Sequence, residues 1–280
     1  MRVRVEAILA ARGGASRRED LLAEGVSRRE IQAAVRQGAV ANPRRGCYSL
    51  PDASGAVVAA AIWRGRPTCV SALESWAVPL VGRMPAGVHI AVPRNRGVTT
   101  TDPRWSPSVV VHRGPALTGV PEVDAAAVVF HASRCLGPEA LLIAVDHLLN
   151  RRLVEKSDIR CVTARLTRWV ATTCDRGAAS PPETLARLAL LRSGFSVRSQ
   201  VQFGGIGRVD LVVEDAVVVE VDGRAYHSDP VAFVADRQRD RALQALGFWV
   251  LRFAAAEVLG DPGCVARAVA VHLGERAPRV

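Results

Sequence analysis

The chain has 280 residues, about half of them apolar, which exceeds one ordinary domain and is enough to bury real cores. A formal net charge of +10, from 37 Lys and Arg against 27 Asp and Glu, favours a polyanionic partner, although an Arg-, Ala-, Val- and Gly-rich composition also raises it without one. No apolar leader opens the chain and no uninterrupted run of about 18 apolar residues occurs, so neither export nor a membrane span is expected and a cytoplasmic location is.

Ser-Arg-Arg-Glu occurs twice, at Ser16–Glu19 and Ser27–Glu30, each with the Ser-x-x-Glu form of a capping box. Two short helices are predicted, about Arg17 to Glu24 stopping at Gly25 and about Arg28 to Gln37 stopping at Gly38. Leu21, Leu22, Ile31, Ala34 and Val35 supply their buried faces, leaving Arg28, Arg29, Gln32 and Arg36 outside. Ala39-Val40-Ala41, the turn Asn42-Pro43-Arg44-Arg45-Gly46 and Cys47-Tyr48-Ser49-Leu50 then read as a small hairpin with Arg44 and Arg45 at its tip. Helix, turn, helix, hairpin is the layout of a winged helix-turn-helix, whose second helix enters the major groove while its wing touches phosphates; packing or protein contact is the plainer use of such a pair. The segment resembles the N-terminal winged-helix domain of AbiEi-type antitoxins, which implies DNA as a partner and a cognate toxin protein as a second one.

The middle region carries no motif. Helices are predicted at 54–64, 71–78, 123–134 and 138–151, strands at 88–92 and 109–112, and a further helix from Ser157 to about Val170. Its order resembles the second domain of AbiEi-type proteins. The Cys residues at 47, 69, 135, 161, 174 and 264 show no C-x-x-C pair and no metal-ligand spacing with His, so they read as reduced, buried thiols. His89, His112, His131 and His147 lie among apolar runs and read as structural.

Residues 173–182, small and turn-prone with two prolines, form the best linker, and a weaker boundary falls at 51–55. The expected domains are 1–52, 53–175 and 176–280. Beyond the linker, two apolar runs at 208–214 and 216–222 flank the turn candidate Glu214-Asp215 and predict an antiparallel hairpin. Asp210 interrupts the first run, nearly opposite Val219 and Glu220, and Glu220 and Asp222 share a face of the second. Three converging carboxylates repel one another unless a divalent cation absorbs the charge; hard oxygen ligands suit Mg²⁺ (or Mn²⁺), and the cluster suggests phosphodiester chemistry.

Asp210, Glu220-Val221-Asp222-Gly223, His227, Asp236, Arg239-Asp240, Gly247-Phe248, Val250 and Arg252-Phe253, with an upstream helix opening at Pro182-Glu183, resemble the very-short-patch-repair-like (Vsr-like) endonuclease domains of the PD-(D/E)XK superfamily. The resemblance spans roughly 180 to 270. It implies an α/β/α restriction-endonuclease-like fold within an α/β multidomain chain, and metal-dependent hydrolysis of DNA. Asp210 and Glu220 would hold the metal, Asp222 would be a further ligand or an orienter, and His227 a general base or acid. Arg239 and Arg252 are candidate phosphate clamps. Glu183 either reaches the cluster or only compensates a helix N-terminus, and Asp240, with Asp236, either serves the site or belongs to a solvated salt-bridge face. One departure stands out: the position two after the second acid, Lys in many superfamily members, is Asp222, and the chain's one Lys is Lys156. The alternative is a regulator of the antitoxin class that binds an operator and performs no chemistry. Oligomeric state has no sequence signature here.

Overall fold

The computed structural model describes residues 3–93, 106, 108–114, 117–118, 120–160, 165–222 and 230–276, and is of mixed α/β type. His227, Gly223 and Cys161 lie outside the described residues. The chain divides into two compact units, residues 1–137 with 157–168, and residues 138–156 with 169–280.

The first unit opens with α1 (Val3–Ala11), β1 (Ala15–Arg17), α2 (Arg18–Ala23), α3 (Arg28–Arg36), β2 (Ala41–Arg44) and β3 (Cys47–Ser49). The strands form a sheet in the order β1-β3-β2. Val5, Leu9, Leu21, Val26, Ile31, Val40 and Tyr48 pack into one core. α1 lies outside the elements expected from sequence because its apolar residues do not repeat cleanly at helical spacing. The Ser27 box forms as expected: Glu30 N donates to Ser27 Oγ at 3.2 Å and Ser27 N to Glu30 Oε2 at 2.7 Å. The Ser16 box does not. Ser16 is held in β1 opposite Tyr48, so the cap shifts one residue to Arg17, whose N donates to Asp20 Oδ2 at 3.4 Å. Sheet pairing outcompetes the local cap. Pro43 sits on β2, an edge strand, where a missing N–H costs no ladder bond.

The first unit continues with α4 (Gly55–Trp63), β4 (Arg66–Pro67), α5 (Cys69–Ser75), β5 (Val88–Val92), β6 (Val109–Arg113) and α6 (Pro121–Ala132). Its second sheet runs β4-β5-β6, with β4 antiparallel and β6 parallel to β5. The helix expected at 71–78 starts two residues early, at Cys69, and ends at Ser75. Next come α7 (Pro138–Asn150), which belongs to the second unit, then α8 (Lys156–Arg160) and α9 (Arg165–Thr173), which cover the described part of the single helix expected there.

The rest of the second unit is α10 (Pro181–Arg192), β7 (Val197–Phe203), β8 (Gly207–Val213), β9 (Val217–Asp222), α11 (Pro230–Ala245), β10 (Trp249–Ala254), α12 (Ala255–Gly260) and α13 (Gly263–Arg276). Its sheet runs β10-β9-β8-β7, an antiparallel meander extended by β10 parallel to β9, which requires the crossover that α11 supplies. The predicted hairpin is present: Leu211 faces Val219 and Val213 faces Val217, with Glu214 and Asp215 at φ +51° and +48° in the three-residue connection Glu214-Asp215-Ala216. α10, α12 and α13 pack on one another, and Leu243 of α11 packs with Val212 and Val218 of the sheet. Arg187 of α10 and Asp146 of α7 form an ion pair of 2.8 Å, with side chains 5% and 1% exposed. Thr184 Oγ1 and Asp175 N also donate to the Asp146 carboxylate, which is why a charge survives in that interior.

Candidate active site

Strand alternation and register put Asp210, Val212, Val218, Glu220, Asp222, Val250 and Arg252 on one face of the second unit's sheet. Valines at the closed end of the hairpin anchor that face in the core, and the carboxylates sit at its open end, where β9 stops. Asp210 is fixed by backbone: Val221 N donates to its Oδ2 at 2.9 Å. Its Oδ1 accepts from Gln200 Nε2 at 3.3 Å, and the same amide donates to Glu183 Oε2 at 3.1 Å. Gln200 lies in β7 with φ +53°, a left-handed conformation in the middle of a strand. That local reversal interrupts the β7–β8 pairing opposite Asp210, with the same register on either side. Gln200 carried no sequence signal of its own, since an isolated Gln in a strand is ordinary; its position opposite Asp210 became visible only with the register.

Glu183 caps α10 and reaches the cluster as well, so the two readings offered for it are compatible. It accepts from Ala179 N at 3.0 Å and Ser180 Oγ at 2.7 Å, while the Gln200 amide links it to Asp210. Burial raises its pKa, Asp210 adds to the rise, and the capping bonds oppose it.

Glu220 is 6% exposed. Burial and the nearby Asp210 push its pKa up to about 7, against the pull of Arg239 and Arg252. Arg239 Nη2 of α11 lies 2.8 Å from Glu220 Oε1, yet among the described residues that oxygen has no aligned hydrogen-bond donor. The distance makes an ion pair and the angle fails; a buried carboxylate oxygen is left with an unused lone pair. Arg239 also donates to the Arg208 carbonyl.

The Asp222 side chain is 46% exposed and lies 3.6 Å from Arg252 Nη1. Arg252 Nη2 donates to Asp240 Oδ1 at 2.9 Å, and Asp240 is 13% exposed whereas Asp236 faces solvent. The two acids of that helix face therefore part: Asp240 points inward through Arg252, Asp236 outward. Both arginines expected to clamp phosphate are engaged by carboxylates. Among the described residues, Asp210, Glu220 and Asp222 do not form one tight set of ligand oxygens; the close grouping of ligand atoms lies elsewhere, at Cys69, His89, His112 and Cys135.

Residues 183–273 match the restriction-endonuclease-like family model REase_MTES_1575. The C-terminal domain is endonuclease-like. The matched span runs from Glu183 through the acidic hairpin, α11 and β10 into α13, and so contains every side chain of the cluster. No curated protein matches the chain. In the first unit, Arg28, Arg29, Gln32 and Arg36 are exposed on α3, and Arg44 and Arg45 are exposed on the β2–β3 hairpin. No described helix is long and apolar enough to cross a membrane.

Proposed function

We propose that the second unit hydrolyses DNA phosphodiester bonds with Mg²⁺ (or Mn²⁺), in the manner of Vsr-like PD-(D/E)XK endonucleases, and that the first unit docks the chain on DNA through a winged helix-turn-helix of the AbiEi type. The observation that carries this reading is the buried Glu220 Oε1, without an aligned donor among the described residues, beside an Asp210 held by backbone and amide, inside a segment that matches a restriction-endonuclease-like family model. Carboxylate oxygens with vacant lone pairs are the donor chemistry a hard divalent cation takes, so the residues fit the ion. Asp210 and Glu220 would hold it; when bound, it acidifies a water and neutralises charge growing on the scissile phosphate.

The chain's own residues do the rest. Gln200 fixes the rotation of the Asp210 carboxylate and ties it to Glu183. Arg239 pairs with Glu220 at 2.8 Å and would be available to phosphate where a bound ion took over that carboxylate's charge. Asp240 holds Arg252 in the plane of the site, with Nη1 directed to Asp222 and outward. His227 remains the proposed proton donor or acceptor, and Asp222 a ligand or orienter of bound water. On α3, Arg28, Arg29, Gln32 and Arg36 would face the major groove, with Arg44 and Arg45 on flanking phosphates.

Supercoiled plasmid incubated with purified protein and Mg²⁺ or Mn²⁺ tests the reading, beside an Asp210→Ala, Glu220→Ala variant shown to be folded. Metal-dependent nicking or linearisation that vanishes in the variant is the expected result. A well-folded wild type inert on plasmid, mismatched and branched DNA removes the enzyme reading. It would favour the operator-binding regulator or antitoxin with a toxin partner, which the pairing of Arg239 and Arg252 with the acidic cluster supports, since those carboxylates are already compensated without metal.

A further inference from the structure

The first unit holds a cluster that the nuclease chemistry does not use. Cys69 opens α5, His89 lies on β5, His112 on β6 and Cys135 just beyond α6, so four separate elements each send one soft or borderline donor to a single interior point. One ligand atom from each lies within 4.8 Å of the other three. His89 Nδ1 is 3.0 Å from His112 Nε2, and Cys135 Sγ is 3.9 Å from that same nitrogen. A tetrahedral zinc ion with bonds of about 2.3 Å to sulfur and about 2.0–2.1 Å to nitrogen separates its ligand atoms by roughly 3.3–3.8 Å. The observed spacings bracket that range.

We propose that Cys69, His89, His112 and Cys135 form a closed, structural zinc site that ties α5, β5, β6 and the end of α6 together. Donor chemistry selects the ion: two thiolates and two imidazoles suit zinc and are poor ligands for Mg²⁺. Two thiolates also cancel the charge of a divalent ion, giving a neutral centre, which is what a buried position requires; Cys69, His89 and His112 are all buried. Two features of the surroundings point the same way. Cys69 sits at φ +51°, a left-handed conformation that costs a non-glycine residue about 1 kcal/mol or more and persists only where something else fixes it. His131 backs the cluster: its Nδ1 is 2.8 Å from Thr68 Oγ1, adjacent to Cys69, and its ring lies tilted against that of His112 with centroids 5.2 Å apart.

The test uses the full chain. After purification without chelator and exchange into metal-free buffer, elemental analysis is expected to find about one zinc per chain, and replacement by Co²⁺ to give the visible absorption of a tetrahedral thiolate complex. Cys69→Ser and His112→Asn should each lower zinc content at least tenfold, while Asp210→Ala, Glu220→Ala should retain it, which separates this site from the carboxylates. Should the ligand variants fail to fold, the Co²⁺ spectrum of the wild type decides alone. A folded wild type with reduced thiols that takes up neither ion, zinc that survives both ligand substitutions, or a Cys69–Cys135 disulfide in the native protein would each overturn the proposal.

Discussion

Glu220 shows how one side chain couples stability to chemistry. A carboxyl whose folded pKa is about 7 rather than 4.5 binds its proton more tightly in the native state. Its contribution is therefore full below about pH 4.5 and is lost as pH rises to about 7, at most about 3 kcal/mol without metal. Asp146, raised to about 6 by burial against the pull of Arg187, acts with the same sign. Urea midpoints between pH 4.5 and 8 in metal-free buffer should fall with rising pH, and Glu220→Gln should flatten most of the slope, leaving the share of Asp146. An unchanged slope in that variant would contradict the burial argument. Because Mg²⁺ needs the ionised carboxylate, its apparent affinity should strengthen across the same window. Gln200 offers a second separation. Gln200→Gly removes the amide joining Asp210 to Glu183 while relieving a left-handed φ, so folding stability should hold or rise by about 0.5–1 kcal/mol as cleavage falls at least tenfold. Loss of both together would mean that Gln200 is structural.

Elements set where these side chains arrive. The β8–β9 turn has two residues in the left-handed region, the geometry that matches strand twist, and Asp215 there makes only an exposed pair with Arg198. Asp215→Gly should therefore stabilise the protein by about 0.5 kcal/mol, read in denaturant midpoints, with cleavage unaffected. α10 is the opposite case. Its Arg187 is buried against Asp146 of α7, and Arg187→Ala strands that carboxylate, at a cost of about 3–5 kcal/mol by equilibrium unfolding. A cost under about 1 kcal/mol would show water reaching Asp146.

At the scale of the whole chain, positive charge predominates. If the proposed docking on DNA holds, the net charge of +10 and the exposed arginines of α3 and the β2–β3 hairpin would make that affinity a counterion-release effect. Plotting log affinity against log salt should give a steep negative slope, and Arg28→Ala with Arg29→Ala should reduce its magnitude by about 1 per lost phosphate contact. Cleavage at saturating protein should be unchanged, because the carboxylate cluster belongs to the other unit. A salt-independent interaction would remove the docking role of the first unit.

Sequence by itself determined what is local. The Ser27 cap, the Glu214-Asp215 turn and the alternation that places Asp210, Glu220 and Asp222 on one face all depend on residues within a few positions of each other. The Ser16 cap failed because a strand partner about thirty residues away claimed it. Asp222 shares the face of Asp210 and Glu220 and lies 3.6 Å from Arg252 Nη1, a partner on a strand joined through a parallel crossover that no local spacing announces. Gln200 and the Cys69, His89, His112 and Cys135 cluster were decided by tertiary structure alone. Their partners are spaced irregularly along the chain, and spacing encodes geometry only within one element; between elements, packing chooses which side chains meet.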